Sequence, residues 1–345
     1  MNGASIFLIL VVIIQVVQTR RYIFQSAKIF SRNSAEDPTK KQIFRALESI
    51  DQHRFASAVD LKVETSKLFL YKGAVKSLPY LKALRLKQCG VELLAPGAFQ
   101  NLPQIDLIHL QDNNLRTIEE GVFSYLPVRE LWLHRNRIRI IRSGAFDNMP
   151  HLEIIKLNNN SLASWDINWF SNTPKLTQVF FRKNHIREIP ARAFANLKSS
   201  HKVEGHELVD LKIYLSHNRI RMIHPQAFDG LDALDELSLN RNMIEKIEES
   251  FFSHFTELNK LELAWNEITE IDEDAFRNLN EILELDLSGN FLQCVPFKVV
   301  AIAKKVNVTG IFEMECDCLG NLREKLSNEK LPNRIFRNDK KCAFD

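Results

Sequence analysis

The feature that most constrains how this chain folds is a repeat, usually 24 residues long, that begins at Leu81. Each unit reads L-x-x-L-x-L-x-x-N-x-L, and we call its asparagine position the landmark. Consecutive landmarks are 24, 23, 24, 24, 34, 24, 24 and 24 residues apart. Such a register over most of the chain predicts a repeat architecture. The landmarks are Cys89, Asn113, Asn136, Asn160, Asn184, Asn218, Asn242, Asn266 and Asn290.

The leucines of each unit alternate with a period of two, as in Leu131-Trp132-Leu133, which predicts a short strand with one apolar face. One coil cannot bury its own leucines, so neighbouring coils must stack and pair their strands in parallel. Asparagine recurs where the chain leaves the strand because its amide can donate to and accept from backbone groups. A phenylalanine ten residues beyond each landmark fills the opposite side of the coil: Phe99, Phe123, Phe146, Phe170, Phe194, Phe228, Phe252 and Phe276, with Val300 in the ninth unit.

Composition and motifs exclude several classes of function. A net charge of +3 over 345 residues is too balanced to favour nucleic acid as the main partner. The chain lacks G-x-S-x-G, P-loop and G-x-G-x-x-G motifs, so we predict that it is not an enzyme and needs no cofactor or metal. A polar group in the sixth unit is interpreted as a solvated loop, because it lacks HExxH spacing: His201, Glu204, His206 and Glu207. Glu262 and Asp286 share one column of adjacent strands and are interpreted as solvated acids rather than a glycosidase pair.

The N-terminus predicts export. The apolar run from Ile6 to Val17 is too short to span a bilayer and is typical of a signal peptide over residues 1–19, with cleavage after Thr19. Arg20 and Arg21 follow the run, so an uncleaved anchor is the alternative. No later stretch is long and apolar enough to span a membrane, so a cleaved signal predicts a secreted protein. Residues 20–60 form a leader without assigned function, in which residues 40–50 are predicted to form a short helix.

The repeat resembles the typical 24-residue leucine-rich repeat of extracellular proteins, as in Toll-type receptor ectodomains and the secreted leucine-rich immune proteins of insects. The resemblance implies an α/β repeat fold, a right-handed horseshoe-shaped solenoid with a parallel β-sheet on its concave side. Residues 61–296 are expected to hold nine regular units and a degenerate first one built on Leu68-x-Leu70, and residues 297–345 a C-terminal cap. An insert near residues 199–210 interrupts the sixth unit, where Leu208, Val209 or Leu211 must fill the inward place of Asp210.

Five cysteines leave at least one unpaired. The resemblance implies disulfides in the C-terminal cap, at Cys316, Cys318 and Cys342, and Cys294 supplies a fourth cysteine. Because Cys294 and Cys316 hold similar places in successive coils, the hypothesis is Cys294–Cys316 with Cys318–Cys342, and Cys89 a buried thiol. The alternative joins Cys316 to Cys342, as in the family cap.

The positions between the inward leucines are expected to point out of the concave sheet and to be free of packing demands. Trp, Tyr and Arg often anchor protein interfaces, so these columns predict a ligand surface centred on Trp132, Phe180 and Tyr214. The alternative is that aromatic residues simply suit strands. The candidate ligand-binding residues are Arg85, His109, Trp132, His134, Lys156, Phe180, Arg182 and Tyr214.

These observations predict a secreted, non-enzymatic recognition protein that binds an extracellular protein or glycan, and the resemblance suggests innate immunity. A structural role in extracellular matrix or cell adhesion is the alternative, and dimerisation stays open. Sequons at Asn159 and Asn307 predict glycosylation. Analogy at the level of the fold cannot name the ligand.

Overall fold

A computed structural model describes residues 24–34, 37–197, 200–203, 206–209, 211–231, 233–311, 314–331 and 335–336. The predicted signal peptide and Cys342 lie outside these residues. The chain divides into two compact units, unit 1 up to Met149 and unit 2 from Pro150. In each unit, the strands of successive coils pair side by side in one sheet, which we call the main sheet.

Unit 1 contains thirteen strands and one short helix among its described residues. Its main-sheet strands follow the order β12-β10-β7-β4-β1-β5-β8, with β2 paired to β1. The elements are β1 (Phe24–Arg32), β2 (Lys40–Leu47), β3 (Ile50–Asp51), α1 (Gln52–Phe55), β4 (Asp60–Glu64), β5 (Leu68–Leu70), β6 (Val75–Lys76), β7 (Ala83–Arg85), β8 (Val91–Leu94), β9 (Phe99–Gln100), β10 (Leu107–His109), β11 (Thr117–Ile118), β12 (Glu130–Trp132) and β13 (Ile140–Ile141).

In the described part of unit 2 the main-sheet strands follow the order β27-β26-β25-β23-β21-β19-β15-β14, and all neighbours are parallel. The elements are β14 (Ile154–Lys156), β15 (Gln178–Phe180), β16 (Glu188–Ile189), β17 (Ser200–Val203), β18 (His206–Val209), β19 (Lys212–Tyr214), β20 (Met222–Ile223), β21 (Ala233–Ser238), β22 (Lys246–Ile247), α2 (Glu249–Phe252), β23 (Glu257–Glu262), β24 (Glu270–Ile271), β25 (Ile282–Asp286), α3 (Phe297–Ile302), β26 (Ala303–Asn307), α4 (Cys316–Asn328) and β27 (Ile335–Phe336).

The leucine columns form the core, as the sequence predicts. In unit 1, Leu84, Ile108 and Leu131 are aligned across three parallel strands, and each is fully buried. In unit 2, Leu157 and Leu239 are fully buried as well. Each coil therefore buries its apolar residues against the next coil. The predicted parallel-strand solenoid is confirmed.

A ladder of buried asparagines joins the coils. Asn113 Nδ2 donates to the carbonyls of Leu110 in its own coil and Leu86 in the preceding coil, both at 2.8 Å. Its Oδ1 accepts from the amides of Cys89 at 2.9 Å and Val91 at 3.0 Å, both in the preceding coil. The donation to one carbonyl in each of two coils recurs at Asn136, Asn184, Asn218, Asn242, Asn266 and Asn290.

Cys89 takes the landmark place in the first regular unit and acts as a weaker substitute for asparagine. Its thiol donates to the Val63 carbonyl at 3.0 Å, the bond that corresponds to the one from Asn113 to Leu86. Burial raises the pKa of the Cys89 thiol to about 12. Cys89 is a free, buried thiol, as predicted.

The phenylalanine columns stack on the other side of the coils. In unit 1, the ring centroids of Phe99 and Phe123, and those of Phe123 and Phe146, are 6.0 Å apart. In unit 2 the stacks run through Phe194 and Phe228, 5.3 Å apart, and Phe252 and Phe276, also 5.3 Å apart. In the ninth unit helix α3 takes over this side of the coil and buries Val300 completely.

The leader forms a β-hairpin, so the predicted helix over residues 40–50 is wrong. Strand β2 pairs antiparallel with β1, and β1 pairs antiparallel with β4 at the start of the repeat. Ala27 and Ile29 of β1 are fully buried. Most of β2 is exposed on both faces, so it has no apolar period for a sequence argument to find. The hairpin covers the first coil, and the hairpin itself contains no cysteine.

The degenerate first repeat lies earlier than predicted. The strand that precedes β7 in the main sheet is β4, in which Leu61 pairs with Leu84. Leu68-x-Leu70 instead forms β5, which pairs with β8 after the landmark of the next unit. The pattern Leu61-x-Val63-x-x-Ser66-x-Leu68 fits the repeat with serine as the landmark.

The insert in the sixth unit, interpreted from the sequence as a solvated loop, forms an antiparallel hairpin of β17 and β18. Asp210 lies outside the described residues. Among the three candidates for the inward place, Leu211 is fully buried at the entry to β19.

The C-terminal cap corrects the predicted disulfides. Cys294 pairs with Cys318, with a Cα–Cα distance of 5.6 Å, so the predicted Cys294–Cys316 and Cys318–Cys342 pairings are wrong. The prediction treated Cys316 as part of a further coil, whereas it begins helix α4. The helix buries Cys318 on the same face as Leu319, Leu322 and Leu326, and Cys316 is only half-buried. Cys316 is also disulfide-bonded.

We expect Asn113→Ala to lower the free energy of unfolding by roughly 3 kcal/mol, because buried carbonyls and amides of two coils lose their partner. The matched control is Asn114→Ala, since Asn114 is half-buried and its backbone amide donates to Val91 whatever its side chain. Denaturant unfolding of both variants measures the effect. Equal stability of the two variants would contradict the role assigned to the landmark column.

Candidate ligand-binding surface

The predicted site residues lie on the face of the main sheet opposite to the buried leucines, which we call the outer face. Each main-sheet strand alternates, so Leu131 is buried while Glu130 and Trp132 on either side are partly exposed. Parallel pairing then aligns equivalent residues of successive coils: Arg85 with His109 with Trp132 in unit 1, and Lys156 with Phe180 with Tyr214 in unit 2.

Three of the four predicted residues in unit 1 form a cluster, which we call the unit 1 patch: His109, Trp132 and His134. The rings of His109 and Trp132 stack with centroids 3.9 Å apart, and the Trp132 and His134 centroids are 5.9 Å apart. Trp132 Nε1 donates to the Glu130 carboxylate at 3.1 Å. The indole is thus held in place by neighbours on its own and the adjacent strand.

Arg85 serves the N-terminal hairpin instead. Its guanidinium is paired with Asp60, and Arg32 of β1 binds the same carboxylate at 3.1 Å. The Asp60 side chain is 17% exposed, so the two arginines share a carboxylate that is mostly shielded from solvent. This arrangement ties β1 to the first coils, and we therefore assign Arg85 a structural role.

All four predicted residues in unit 2 come together, and we call them the unit 2 patch: Lys156, Phe180, Arg182 and Tyr214. The Phe180 and Tyr214 rings stack with centroids 4.6 Å apart. The Lys156 ammonium lies 5.8 Å from the Phe180 centroid, and the Arg182 guanidinium carbon 4.3 Å from the Tyr214 centroid. Both arrangements place a cation within reach of an aromatic ring.

The expectation that these columns are free of packing demands is wrong for Tyr214, which is only 9% exposed. Adjacent strands lie about 4.8 Å apart, so large side chains in one column cover each other's faces. Tyr214 lies beneath Phe180 and Arg182, whereas Phe180 and Arg182 stay half-exposed. A partner would therefore meet Phe180, Arg182 and Lys156 before Tyr214.

A chain of hydrogen bonds continues from the unit 2 patch into the acidic part of the sheet. Tyr214 Oη donates to Glu236 at 2.7 Å, Lys260 donates to Glu236 at 3.0 Å, and Lys260 pairs with Glu262 at 2.6 Å. Asn240 also donates to Glu262, at 2.9 Å. The predicted solvated acidic face is thus partly neutralised by Lys260.

Two pKa shifts follow from this network. Burial, and then the hydrogen bond to Glu236, raise the pKa of the Tyr214 hydroxyl. Burial is the largest single influence on the Glu262 carboxyl and opposes its ionisation, but the hydrogen bonds and positive charges around it, with Lys260 foremost, together outweigh burial and lower its pKa. Glu262 therefore remains a carboxylate at neutral pH and cannot serve as a protonated general acid there.

Two further sequence expectations concern metals and glycans. Across the described side chains, no group of three or more His, Cys, Asp or Glu residues is placed to hold a metal ion. The sequon residue Asn159 is exposed, and its backbone amide donates to the Arg182 carbonyl. Asn307 is half-buried, and its Oδ1 accepts from the Thr309 hydroxyl at 2.9 Å.

Sequence reasoning on the sheet columns missed two features of unit 2. A depression of about 610 Å³ is lined in part by Ile189, Met222, Pro225 and Phe251. The columns that flank the landmarks carry many exposed basic side chains, from Lys183 to Arg241. The same alignment of repeats that gives the sheet columns also reveals these flanking columns, because their register is identical.

The stacked coils, the parallel sheet and the asparagine ladder define a repeat solenoid. A family model described as leucine rich repeat matches residues 211–268 and 234–292. A second, described as BspA type leucine rich repeat region (6 copies), matches residues 28–132 and 92–210. These matches cover more than half of the chain, which therefore belongs to the leucine-rich-repeat proteins.

Solved structures are similar in fold. A chain of the Drosophila Toll–Spätzle complex shares 21% identity with a TM-score of 0.53, over 68% of this chain and 33% of that one. A chain of the octameric complex of Latrophilin 3, Unc5D and FLRT2, the last contributing its leucine-rich repeats, shares 20% identity with a TM-score of 0.52, over 81% of this chain and 88% of that one. This chain thus spans about a third of its counterpart in the Toll complex. No curated protein matches its sequence.

We expect Tyr214→Phe to be about 1 kcal/mol less stable than the wild-type protein near pH 8, because it loses the bond to Glu236. The Tyr214 pKa is raised above its unfolded value, so this advantage is complete below about pH 10 and declines as pH rises toward the folded-state pKa. Denaturant unfolding between about pH 8 and 11 measures the difference. Tyr125→Phe, at a side chain 80% exposed, should show none. A difference for Tyr214→Phe that is constant with pH would contradict the assignment.

Proposed function

We propose that this protein is a secreted, non-enzymatic recognition protein that binds a protein ligand on the outer face of its main sheet. The observation that carries the proposal is the unit 2 patch, an ordered stack of two aromatic rings and two cations on a solvent-facing surface. Aromatic and arginine side chains are enriched among the residues that anchor protein interfaces.

The rigidity of the patches supports the proposal. Phe180 lies between Lys156 and Tyr214, and Tyr214 is fixed by its bond to Glu236. Side chains that are already ordered lose little conformational entropy when a partner binds. The unit 1 patch is ordered in the same way, since Trp132 is fixed by His109 and Glu130.

The comparisons support a protein as the ligand. The similar solved structures are complexes with protein partners, Spätzle in one case and Latrophilin 3 and Unc5D in the other. The disulfide between Cys294 and Cys318 agrees with an oxidising compartment. No helix in the described residues is both long and apolar enough to cross a membrane. Innate immunity and glycosylation at Asn159 and Asn307 also belong to the proposal, and they are supported by the family resemblance and by the sequons.

Substitution of one anchor in each unit tests the surface. We expect Phe180→Ala to weaken binding of a partner captured from extracellular fluid by about 30-fold, since central aromatic anchors contribute about 2 kcal/mol. Trp132→Ala tests the unit 1 patch in the same assay. Binding is measured by surface plasmon resonance with the purified partner, and thermal unfolding confirms that the variants fold.

The matched control is Tyr125→Ala, which removes an aromatic ring that is 80% exposed and lies outside the main-sheet strands. It should bind as the wild-type protein does. If both Trp132→Ala and Phe180→Ala keep wild-type affinity, the outer face is not the binding surface. Recovery of the protein only in insoluble matrix, with no soluble partner, would favour the structural alternative.

A further inference from the structure

A dense set of basic side chains lies beside the main sheet in unit 2, where three successive coils leave strands β15, β19 and β21. We call it the basic array, and it consists of Lys183, Arg187, Arg219, Arg221 and Arg241, with His185 and His217 between them. Each of these side chains is exposed. The residues that alternate with them, such as Asn184 and Ile186, are buried. Local alternation therefore sends the basic residues of these coils to solvent.

Backbone hydrogen bonds fix the register of the array. The amide of Arg221 donates to the carbonyl of Arg187 at 3.0 Å, and that of Arg219 to Ile186 at 2.9 Å. The amide of Lys183 donates to Ser216 at 3.0 Å. Arg187 and Arg221 thus lie side by side, as do Lys183 and His217. The Cα atoms of neighbouring members are separated by roughly 5 Å between adjacent coils and by roughly 7 Å along one coil.

The positive charge of the array is not neutralised within the described part of the chain. None of its five cations forms an ion pair with a described residue. The three segments 183–188, 217–222 and 241–246 contain six Lys or Arg and two Glu, a net charge of +4. The sixth cation, Lys246, is paired with Glu270 at 2.7 Å. Partial desolvation of the His217 ring, and then the proximity of Arg241 and Lys183, lower the pKa of this histidine.

Such an arrangement opposes folding, because like charges at this separation repel each other and no bound partner offsets the repulsion. At one end, Arg241 is held with its guanidinium carbon 5.3 Å from the centroid of Trp265. This contact restrains the Arg241 side chain before any ligand binds. The array has the properties of a preformed anion-binding surface.

The chemistry of the array distinguishes among polyanions. Charged residues as a class are depleted at the core of protein interfaces, whereas this surface brings four arginines and a lysine together with two histidines between them. Guanidinium groups bind planar or tetrahedral oxyanions through paired N–H donors. A long polysaccharide with regularly spaced sulfate groups can contact several of these guanidinium groups at once, both along one coil and across neighbouring coils.

We propose that the basic array binds a sulfated polysaccharide, in the extracellular location proposed above. The ligand is recognised through its sulfate groups, by arginines from adjacent coils. This surface is separate from the unit 2 patch, since Arg182 belongs to the patch and faces Tyr214. A protein ligand on the outer face and a polysaccharide on the array can thus be bound by different residues of one molecule.

The test measures binding of the full chain to a heparin oligosaccharide in about 0.15 M NaCl, by fluorescence anisotropy. We expect Arg219→Gln/Arg221→Gln to weaken binding roughly tenfold or more, and to lower the slope of log K against log salt concentration by about two. Lys183→Gln/Arg187→Gln, in the neighbouring coil, should have a similar effect and serves if the first variant folds poorly. The control is Arg323→Gln/Lys330→Gln, which removes two exposed cations in or beside helix α4.

The control should keep wild-type affinity, and poly-glutamate and duplex DNA of equal charge should bind at least tenfold more weakly than heparin. Equal losses in the control and array variants would overturn the proposal, because any surface charge would then suffice. Poly-glutamate binding as tight as heparin binding would assign the array to an acidic protein instead. Phe180→Ala should leave heparin binding unchanged, so failure here is separable from failure of the outer-face proposal.

Discussion

The hydrogen bonds of the landmark asparagines are the interaction on which the rest of the structure depends. One buried amide group, as in Asn113, donates to carbonyls of two coils and accepts from amides of the preceding coil. A turn of backbone that would otherwise bury unpaired groups is thereby satisfied. No coil supplies all the partners for itself, so stability belongs to the pairs of neighbouring coils. At Cys89 one hydrogen bond between coils is preserved, because the thiol donates to the Val63 carbonyl of the preceding coil.

The tight spacing of the coils also governs the surface. Side chains in one column are close enough to stack, so Phe180 and Tyr214 or His109 and Trp132 act as ordered groups rather than as independent residues. Where the column holds large aromatic residues, one ring covers the next and the exposed area falls. Where a flanking column holds arginines and lysines, the same spacing concentrates charge. Packing within a column and recognition by it are therefore coupled.

Sequence reasoning succeeds where the repeat imposes its period. The inward leucines, the landmark asparagines and the alignment of outer-face columns all follow from the 24-residue register. It fails where the period ends. Strand β2 is held by backbone pairing to β1 and is exposed on both faces, so its residues carry no pattern. Cys318 meets Cys294 because a helix begins at Cys316, which coil geometry could not predict. The burial of Tyr214 depends on the size of its neighbours, Phe180 and Arg182.

The position before each landmark explains why the basic array lies where it does. That residue has a positive φ in every regular coil, for example 56° at Lys183, 57° at His217 and 55° at Arg241. A left-handed residue turns the chain out of the strand and leaves its side chain unpacked against the core, so its identity is free to vary. Gly289 is constrained by more than φ, because a Cβ there would lie 2.7 Å from the Trp265 ring. Lys183 and Arg241 at such positions, with Arg187, Arg219 and Arg221 beside them, repel each other and are difficult to explain by the needs of the fold, so this concentration of positive charge points to a ligand.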